Sequence, residues 1–215
     1  MNHKEVAIYG CGGFGRGIAR LAQLSRYRVV CFVDDDPKLQ GQVFNGIPAL
    51  ALADARREYP DAEVAVAVNV PTTRERLVAK VAEAGFGFAT LVHHRVELSP
   101  YIEIGQGTIV REGCCFSVNI ALGRHVQLNM DCTVGHDVVM ADYATLAPGA
   151  HISGYVHLRR CVSVGTGAVI IQGTKDAPMV VGDGAIIGAG ACVTKAVPPG
   201  ATVVGVPARV IKLKA

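Results

Sequence analysis

At 215 residues, half of them hydrophobic, the chain is long enough for one large or two small domains with a buried core. A net charge of +3, with no run of Lys or Arg, argues against nucleic acid or any other partner captured by bulk electrostatics. No apolar run reaches membrane-spanning length, and the seven Cys lack C-x-x-C spacing, so reduced thiols in a cytoplasmic protein are expected rather than a disulfide framework.

Residues 1–91 alternate between strand and helix patterns. Glu5–Tyr9 (EVAIY) predicts a buried strand, entered directly with no signal-peptide profile. The sequence Gly10-Cys11-Gly12-Gly13-Phe14-Gly15 follows, and Arg16–Leu24 predicts a helix. Arg28–Val33 (RVVCFV) is a second strand, closed by Asp34-Asp35-Asp36-Pro37. A loop leads into a helix between Pro48 and Tyr59, Glu63–Asn69 is a third strand, Thr72–Ala84 a further helix and Phe88–Val92 a last strand. This alternation predicts a small Rossmann-like parallel α/β domain.

Gly10–Gly15 fits G-x-G-x-x-G between a strand and a helix, with acidic residues about 20 positions on. Glycines let backbone N–H groups approach phosphate, and a helix N-terminus favours an anion. Three readings stand at this point: an NAD site, a site for the nucleotide part of an activated substrate, and a tight turn with no ligand. The α/β part is short for a dinucleotide and lacks a second nucleotide-binding half.

From residue 92 the pattern changes. In steps of six from Val92 the chain reads Val92, Leu98, Ile104, Val110, Phe116, Leu122, Leu128, Val134, Met140, Leu146, Ile152, Leu158, Val164 and Ile170, all apolar. Four residues after most of these lies a small or β-branched residue, as at Thr108, Cys114, Val126, Cys132, Ala144 and Ala150. A period of six is neither helical nor a strand alternation. It predicts a hexapeptide-repeat solenoid over residues 92–215, with short strands on the faces of a triangular prism, about 18 residues per coil. Several Cys fall at inward positions and serve as small core hydrophobes.

Departures from the pattern mark the chemistry. His136, second after the apolar Val134, projects outward, and one coil later comes Gly154, which offers a backbone N–H and open space. A proton-accepting His beside a donor for an oxyanion is an acyl-transfer arrangement, and Asp137 is placed to orient the ring. The alternative is a solvent-facing His. His125, His151 and His157 raise a shared zinc site, but their spacing is not that of a ligand set and no metal is expected. His93-His94 reads as a polar linker. The register breaks over Gln172–Val180, a loop expected at a subunit seam, over a ligand groove, or without role. Pro198, Pro199 and Pro207 end the coils, and the tail is expected to cap the open end.

The whole chain resembles the bacterial sugar O-/N-acyltransferases of the sialic-acid O-acetyltransferase type. The VTK…PPG…GVPAR ending marks the hexapeptide acetyltransferase superfamily, and its coupling to GCGGFG…FVDDD is more specific to this family. The resemblance implies a left-handed β-helix, a homotrimer, and acetyl-CoA bound between neighbouring solenoids. It implies transfer to the 4-amino group of a nucleotide-linked 4-amino-4,6-dideoxy sugar in surface-glycan biosynthesis, with sugar or sialic-acid O-acetylation as the alternative. His136 falls on the family's base, Asp137 on its supporting acid, Asn129 near the acceptor sugar and Gly154 on the donor to the thioester carbonyl. Thr166 and Ala189 would line the CoA groove. Gly12, Gly13 and Phe14 would approach the nucleotide phosphates and sugar, and Asp34, Asp35 and Asn69 the ribose or base. Gly135 stands where some members carry an acidic residue before the His. Thr145 stands where some carry a second, CoA-contacting His, and the 172–180 loop is longer than the family pattern.

Overall fold

A computed structural model describes residues 4–213 and divides into two compact units, Met1–His93 and His94–Ala215. The first holds a six-stranded sheet, three helices and one further short strand outside that sheet. In chain order the elements are β1 (Glu5–Tyr9), α1 (Gly13–Leu24), β2 (Arg28–Val33), β3 (Val43–Phe44), β4 (Ile47–Leu50), α2 (Leu52–Glu58), β5 (Glu63–Val66), α3 (Pro71–Glu83), β6 (Gly87–Phe88) and β7 (Leu91–Val92). The sheet order is β3-β4-β2-β1-β5-β6, parallel except for the β3–β4 pair. Central β1 is apolar on both faces, as a parallel strand covered on both sides must be, and Val6, Ala7 and Ile8 are fully buried. Helix α1 buries Ile18, Leu21 and Ala22, spaced to share one face.

The expected loop before α2 is instead a hairpin, β3–β4. Asn45 and Gly46 turn it with φ of 52° and 78°, and an Asn-Gly pair is the preferred sequence for a two-residue turn of that hand. The strand expected over Glu63–Asn69 stops at Val66, because the chain must leave the sheet to enter α3 at Pro71. The strand expected over Phe88–Val92 is two short ones, β6 and β7.

The second unit is a three-faced prism of parallel two- and three-residue strands. One face stacks Ile109–Val110, Gln127–Leu128, Thr145–Leu146, Ser163–Val164 and Ile186–Ile187. The next stacks Cys115–Phe116, Thr133–Val134, His151–Ile152, Val169–Ile170 and Cys192–Val193. The third stacks Ile102–Ile104, Ile120–Leu122, Val139–Met140, Val156–Leu158 and Met179–Val181. Partners step by 18 residues, as in Thr133↔His151 and Gln127↔Thr145. The chain passes these faces in a fixed cycle, so the prism has three edges, called here the first-to-second, second-to-third and third-to-first edges.

The sixth-position residues Val110, Leu128, Val134, Met140, Leu146, Ile152, Leu158, Val164 and Ile170 are each at most 2% exposed and fill the interior. Val126, Cys132, Val138, Ala144, Ala150, Val156, Val162 and Ala168 are fully buried at the intervening corners. The apolar period begins earlier in the sequence than in the core, since Leu98 is 43% exposed. His93 is buried, not a solvated linker residue.

A second period of six is conformational. Gly107, Gly113, Asn119, His125, Asp131, Asp137, Tyr143, Gly149, Tyr155, Cys161 and Gly167 all have φ between 53° and 76°. Each corner needs one residue in the left-handed region to turn the chain onto the next face.

Above Ile170 the step grows. Val169 pairs with Cys192, 23 residues on, where His151 pairs with Val169, 18 on, so the insertion adds five residues. The loop is shorter than the expected Gln172–Val180, because Met179 and Val180 already belong to the strand Met179–Val181. At the end, Ala201–Val204 continues the first face and Arg209–Leu213 pairs with it antiparallel. The tail thus extends that sheet by one exposed strand. Leu146 is fully enclosed, so Leu146→Ala should lower stability by about 2–5 kcal/mol, read from the denaturation midpoint at unchanged m-value.

Candidate functional site

In the first unit, Gly10–Gly13, Asp34–Asp35 and Asn69 all lie at the carboxyl ends of three adjacent parallel strands, β1, β2 and β5. That end of an open parallel sheet is where ligands bind. Two of the glycines have packing or backbone reasons to be there. Gly10 has φ of 102°, and a Cβ on Gly15 would sit 1.7 Å from the Gly10 carbonyl oxygen. Gly12 and Gly13 have neither reason, since a Cβ on either meets nothing within 4 Å. Their bare backbone opens space at the N-terminus of α1, where Gly12 is the N-cap and no side chain caps the helix.

The loop is held rigid from behind. Asp34 Oδ2 accepts from the Cys11 N–H (3.1 Å) and thiol (3.2 Å), and Oδ1 accepts from the Asp36 N–H (3.1 Å). Burial pushes the Asp34 carboxyl up, but the Asp36 and Cys11 hydrogen bonds outweigh it and hold the group below its ordinary value. The Arg16 guanidinium donates to the Cys11 carbonyl at 3.1 Å. Asp35 Oδ1 accepts from the Tyr9 hydroxyl and from Lys80 Nζ, both at 2.6 Å. Asp34 is therefore engaged with the loop, while Asp35, bonded to Tyr9 and Lys80, remains half-exposed. Sequence reasoning missed Arg74. It is 1% exposed, and donates to the Val68 (2.8 Å) and Asn69 (3.2 Å) carbonyls, fixing the loop that carries Asn69.

In the solenoid, His136 and Gly154 stand on the second-to-third edge, one coil apart. Tyr155 N–H donates to the His136 carbonyl at 3.0 Å, so the two corners are stacked. A Cβ on Gly154 would lie 2.5 Å from His136 Nε2, so only glycine leaves the ring its place. Among the described residues the Gly154 N–H donates to no protein group. His136 Nδ1 and Asp137 Oδ2 are 2.8 Å apart. An ionised carboxylate only accepts, so Nδ1 carries a proton, and in the neutral ring Nε2 is then the acceptor. Hydrogen bonds from His136, then from Asn119, hold the Asp137 carboxyl below its ordinary range.

The remaining candidates divide between edges. Asn129, Thr166 and Ala189 all lie on the first-to-second edge, away from His136. Gly190 N–H donates to the Thr166 carbonyl at 2.8 Å, stacking the last two. Asn129 is buried and its amide nitrogen donates to the Leu146 carbonyl at 3.0 Å, a bond within the solenoid wall. Thr145 is buried on the first face. His125, His151 and His157 are not brought together: His125 stacks on Tyr143, His151 bonds the Thr133 hydroxyl at 2.9 Å, and His157 lies on another face. Among the described residues no three His, Cys, Asp or Glu form a metal-binding group. Burial, with Asp34 nearby, pushes the Cys11 thiol up to about 11. Burial pushes Cys31 up to about 12, which suits neither for nucleophilic work.

Residues 5–81 match the family model described as the PglD N-terminal domain. Over 213 residues, 95% of each chain, the sequence is 36% identical to GDP-perosamine N-acetyltransferase of Escherichia coli O157:H7. The chain belongs to the bacterial sugar O-/N-acyltransferase family. Among solved structures, WeeI from Acinetobacter baumannii AYE is 35% identical, with a TM-score of 0.89 over 97% of this chain and 100% of that one. The acetyltransferase domain of PglB from Neisseria gonorrhoeae FA1090, in complex with acetyl coenzyme A, is 30% identical, with a TM-score of 0.86 over 98% and 100%. Membership identifies an N-terminal domain of the PglD kind joined to a β-helix acetyltransferase. No helix among the described residues is long and apolar enough to cross a membrane.

Two outcomes follow from this geometry. Gly154→Ala should displace the imidazole and lower kcat at least tenfold while the melting temperature stays near wild type, measured by steady-state assay and calorimetry. Asp34 has a depressed folded value, so its stability contribution is present above the unfolded pKa and is lost as pH falls through the folded one. Asp34→Asn should therefore weaken the fall in stability below about pH 4, followed by denaturation across pH.

Proposed function

We propose that the protein is an acetyl-CoA-dependent N-acetyltransferase acting on the 4-amino group of a nucleotide-linked 4-amino-4,6-dideoxy sugar. The observation that carries the reading is the pairing of the His136 ring, bonded through Nδ1 to Asp137, with the Gly154 N–H one coil above, which donates to no protein group among the described residues. The amine nitrogen attacks the thioester carbonyl carbon, and a C–N bond forms. His136 takes the amine proton, and the Gly154 N–H donates to the oxyanion. Collapse breaks the C–S bond, and the proton passes from the imidazolium to the departing sulfur. Both substrates are held together, so no acyl-enzyme and no Cys nucleophile is required.

The N-terminal domain holds the nucleotide. Gly12, Gly13 and Phe14 approach the phosphates, Asp35 and Asn69 the ribose or base, and Asp34 holds the loop that presents them. The empty space over Gly12 and Gly13 supports a ligand-bearing loop over a bare turn. The GDP-perosamine N-acetylation for which the E. coli relative is named supports an amino-sugar acceptor. The acetyl coenzyme A bound to the PglB domain supports the donor.

His136 and Gly154 occupy one edge of the prism, and Thr166 and Ala189 another. A groove using both needs the edge of one copy against the edge of a second, which a left-handed β-helix trimer provides by symmetry. The product would enter a surface glycan made in the cytoplasm.

Thiol release from acetyl-CoA in the presence of UDP-, dTDP- and GDP-linked 4-amino-4,6-dideoxy sugars tests the acceptor. Turnover on one of them is expected. Silence on all three, with acetylation of a free sugar hydroxyl instead, would favour the O-acetyltransferase reading. His136→Ala should lower kcat by about a hundredfold or more with CoA affinity nearly intact, and an unchanged kcat would refute the base.

A further inference from the structure

His136 and Asp137 are neighbours in sequence, so their mutual hydrogen bond does not by itself anchor either to the solenoid. The anchors come from the coils on each side. Asn119, Asp137 and Tyr155 stand 18 residues apart on the second-to-third edge, with nearly the same backbone φ (55°, 56° and 53°). Equivalent corners with one conformation send their side chains off in the same direction, so the three form a column. From the coil below, Asn119 Nδ2 donates to Asp137 Oδ1 at 3.2 Å, the oxygen His136 does not use. From the coil above, the Tyr155 ring stands edge-on to the His136 imidazole, with centroids 5.0 Å apart and planes at 88°.

A bulky aromatic residue in the left-handed region is an outlier, and such strain persists where the surroundings impose it. Tyr143, in the same conformation, is buried between the His125 ring and the Arg160 guanidinium. Tyr155 is only half-buried, its ring contact is the imidazole, and its side chain also hydrogen-bonds the Asp137 carboxylate. Nothing in the packing alone calls for tyrosine there.

We infer that Asn119 and Tyr155 are positioning residues, clamping Asp137 and the His136 ring from adjacent coils so that Nδ1 stays protonated and Nε2 stays turned to Gly154. This rests on His136 being the base of acetyl transfer. A carboxylate bonded only by its own imidazole can swing with it, and a ring misplaced by an ångström loses much of its rate. With Oδ1 held from below, the carboxylate becomes a fixed acceptor, and the ring edge above limits the rotation of the imidazole.

The groups facing the pair are few. Asn119 and Tyr155 are on the adjacent corners with Ser117, Val118 and Ser153, and the only titratable one of these is Tyr155. One coil further down, Glu103 and Tyr101 line a cleft of about 380 Å³ beside Asn119. One coil further up, the insertion carries Lys175 and Asp176.

Asn119→Asp keeps the shape and puts a second carboxylate beside Asp137. It should favour the imidazolium and move the acid limb of kcat/KM upward by about one pH unit. Asn119→Ala and Tyr155→Phe should each lower kcat, about tenfold and severalfold respectively, with the KM for both substrates within about twofold of wild type. A merely structural role would instead lower the melting temperature and leave the pH profile in place. The independent readout is nitrogen-detected NMR titration of the His136 ring in the intact protein, which gives pKa and tautomer without turnover. Wild-type titration and a wild-type acid limb in Asn119→Asp would overturn the clamp, whatever His136→Ala does. Full activity in His136→Ala would instead overturn the base assignment, and with it the catalytic role of the clamp.

Discussion

The solenoid depends on one backbone constraint: every sixth residue must turn through the left-handed region. A strand of two residues has too few hydrogen bonds to hold itself, so each depends on copies of itself stacked above and below. Those copies meet only if the corners recur on time. The interior apolar residues then fall inward, and the corner residues fall into columns along the three edges. The fold therefore delivers side chains to the site by column rather than by loop.

That delivery explains the chemistry of the second-to-third edge. Asp137 occupies the left-handed position of its corner, which folds its carboxylate back toward the residue before it. Two adjacent residues so form a hydrogen bond that an extended chain would not allow. The coil above supplies Gly154, where any side chain would collide with the ring, and its N–H donates to no protein group among the described residues. The N-terminal loop reaches a similar end by other means. Asp34, Arg16 and Arg74 are engaged with backbone groups, and their work is to hold the Gly-rich and Asn69 loops still.

Legibility in the sequence followed the same division. The apolar sixth positions announced the solenoid, because burial imposes its period directly on composition. The conformational period was hidden, since Asn, Asp, His, Tyr, Cys and Gly all occupy the left-handed corners and share no chemistry. The β3–β4 hairpin has only Asn45-Gly46 as its signal, because the strands on either side are too short to show an alternating pattern. His136 and Gly154 were readable from their 18-residue spacing. The same spacing applied downward from Asp137 points to Asn119, and upward to Tyr155. Arg74 could not be found this way: an arginine four residues into a helix reads as a surface residue, and only the tertiary fold buries it.

The five-residue insertion shows how such a chain can vary. It enters at a corner, and past it all three faces resume with the same 23-residue step. The faces therefore register no change, while the edge above Gly154 gains a short loop tied to it by the Gly173 N–H at 3.0 Å and the Met179 N–H to Tyr155 at 2.9 Å. An insertion in an ordinary sheet strand would throw its whole hydrophobic pattern onto the wrong side. Here, length can be added or removed beside His136 and Gly154 without a change in the core. The edge is a rack into which different loops can be fitted while the scaffold stays the same.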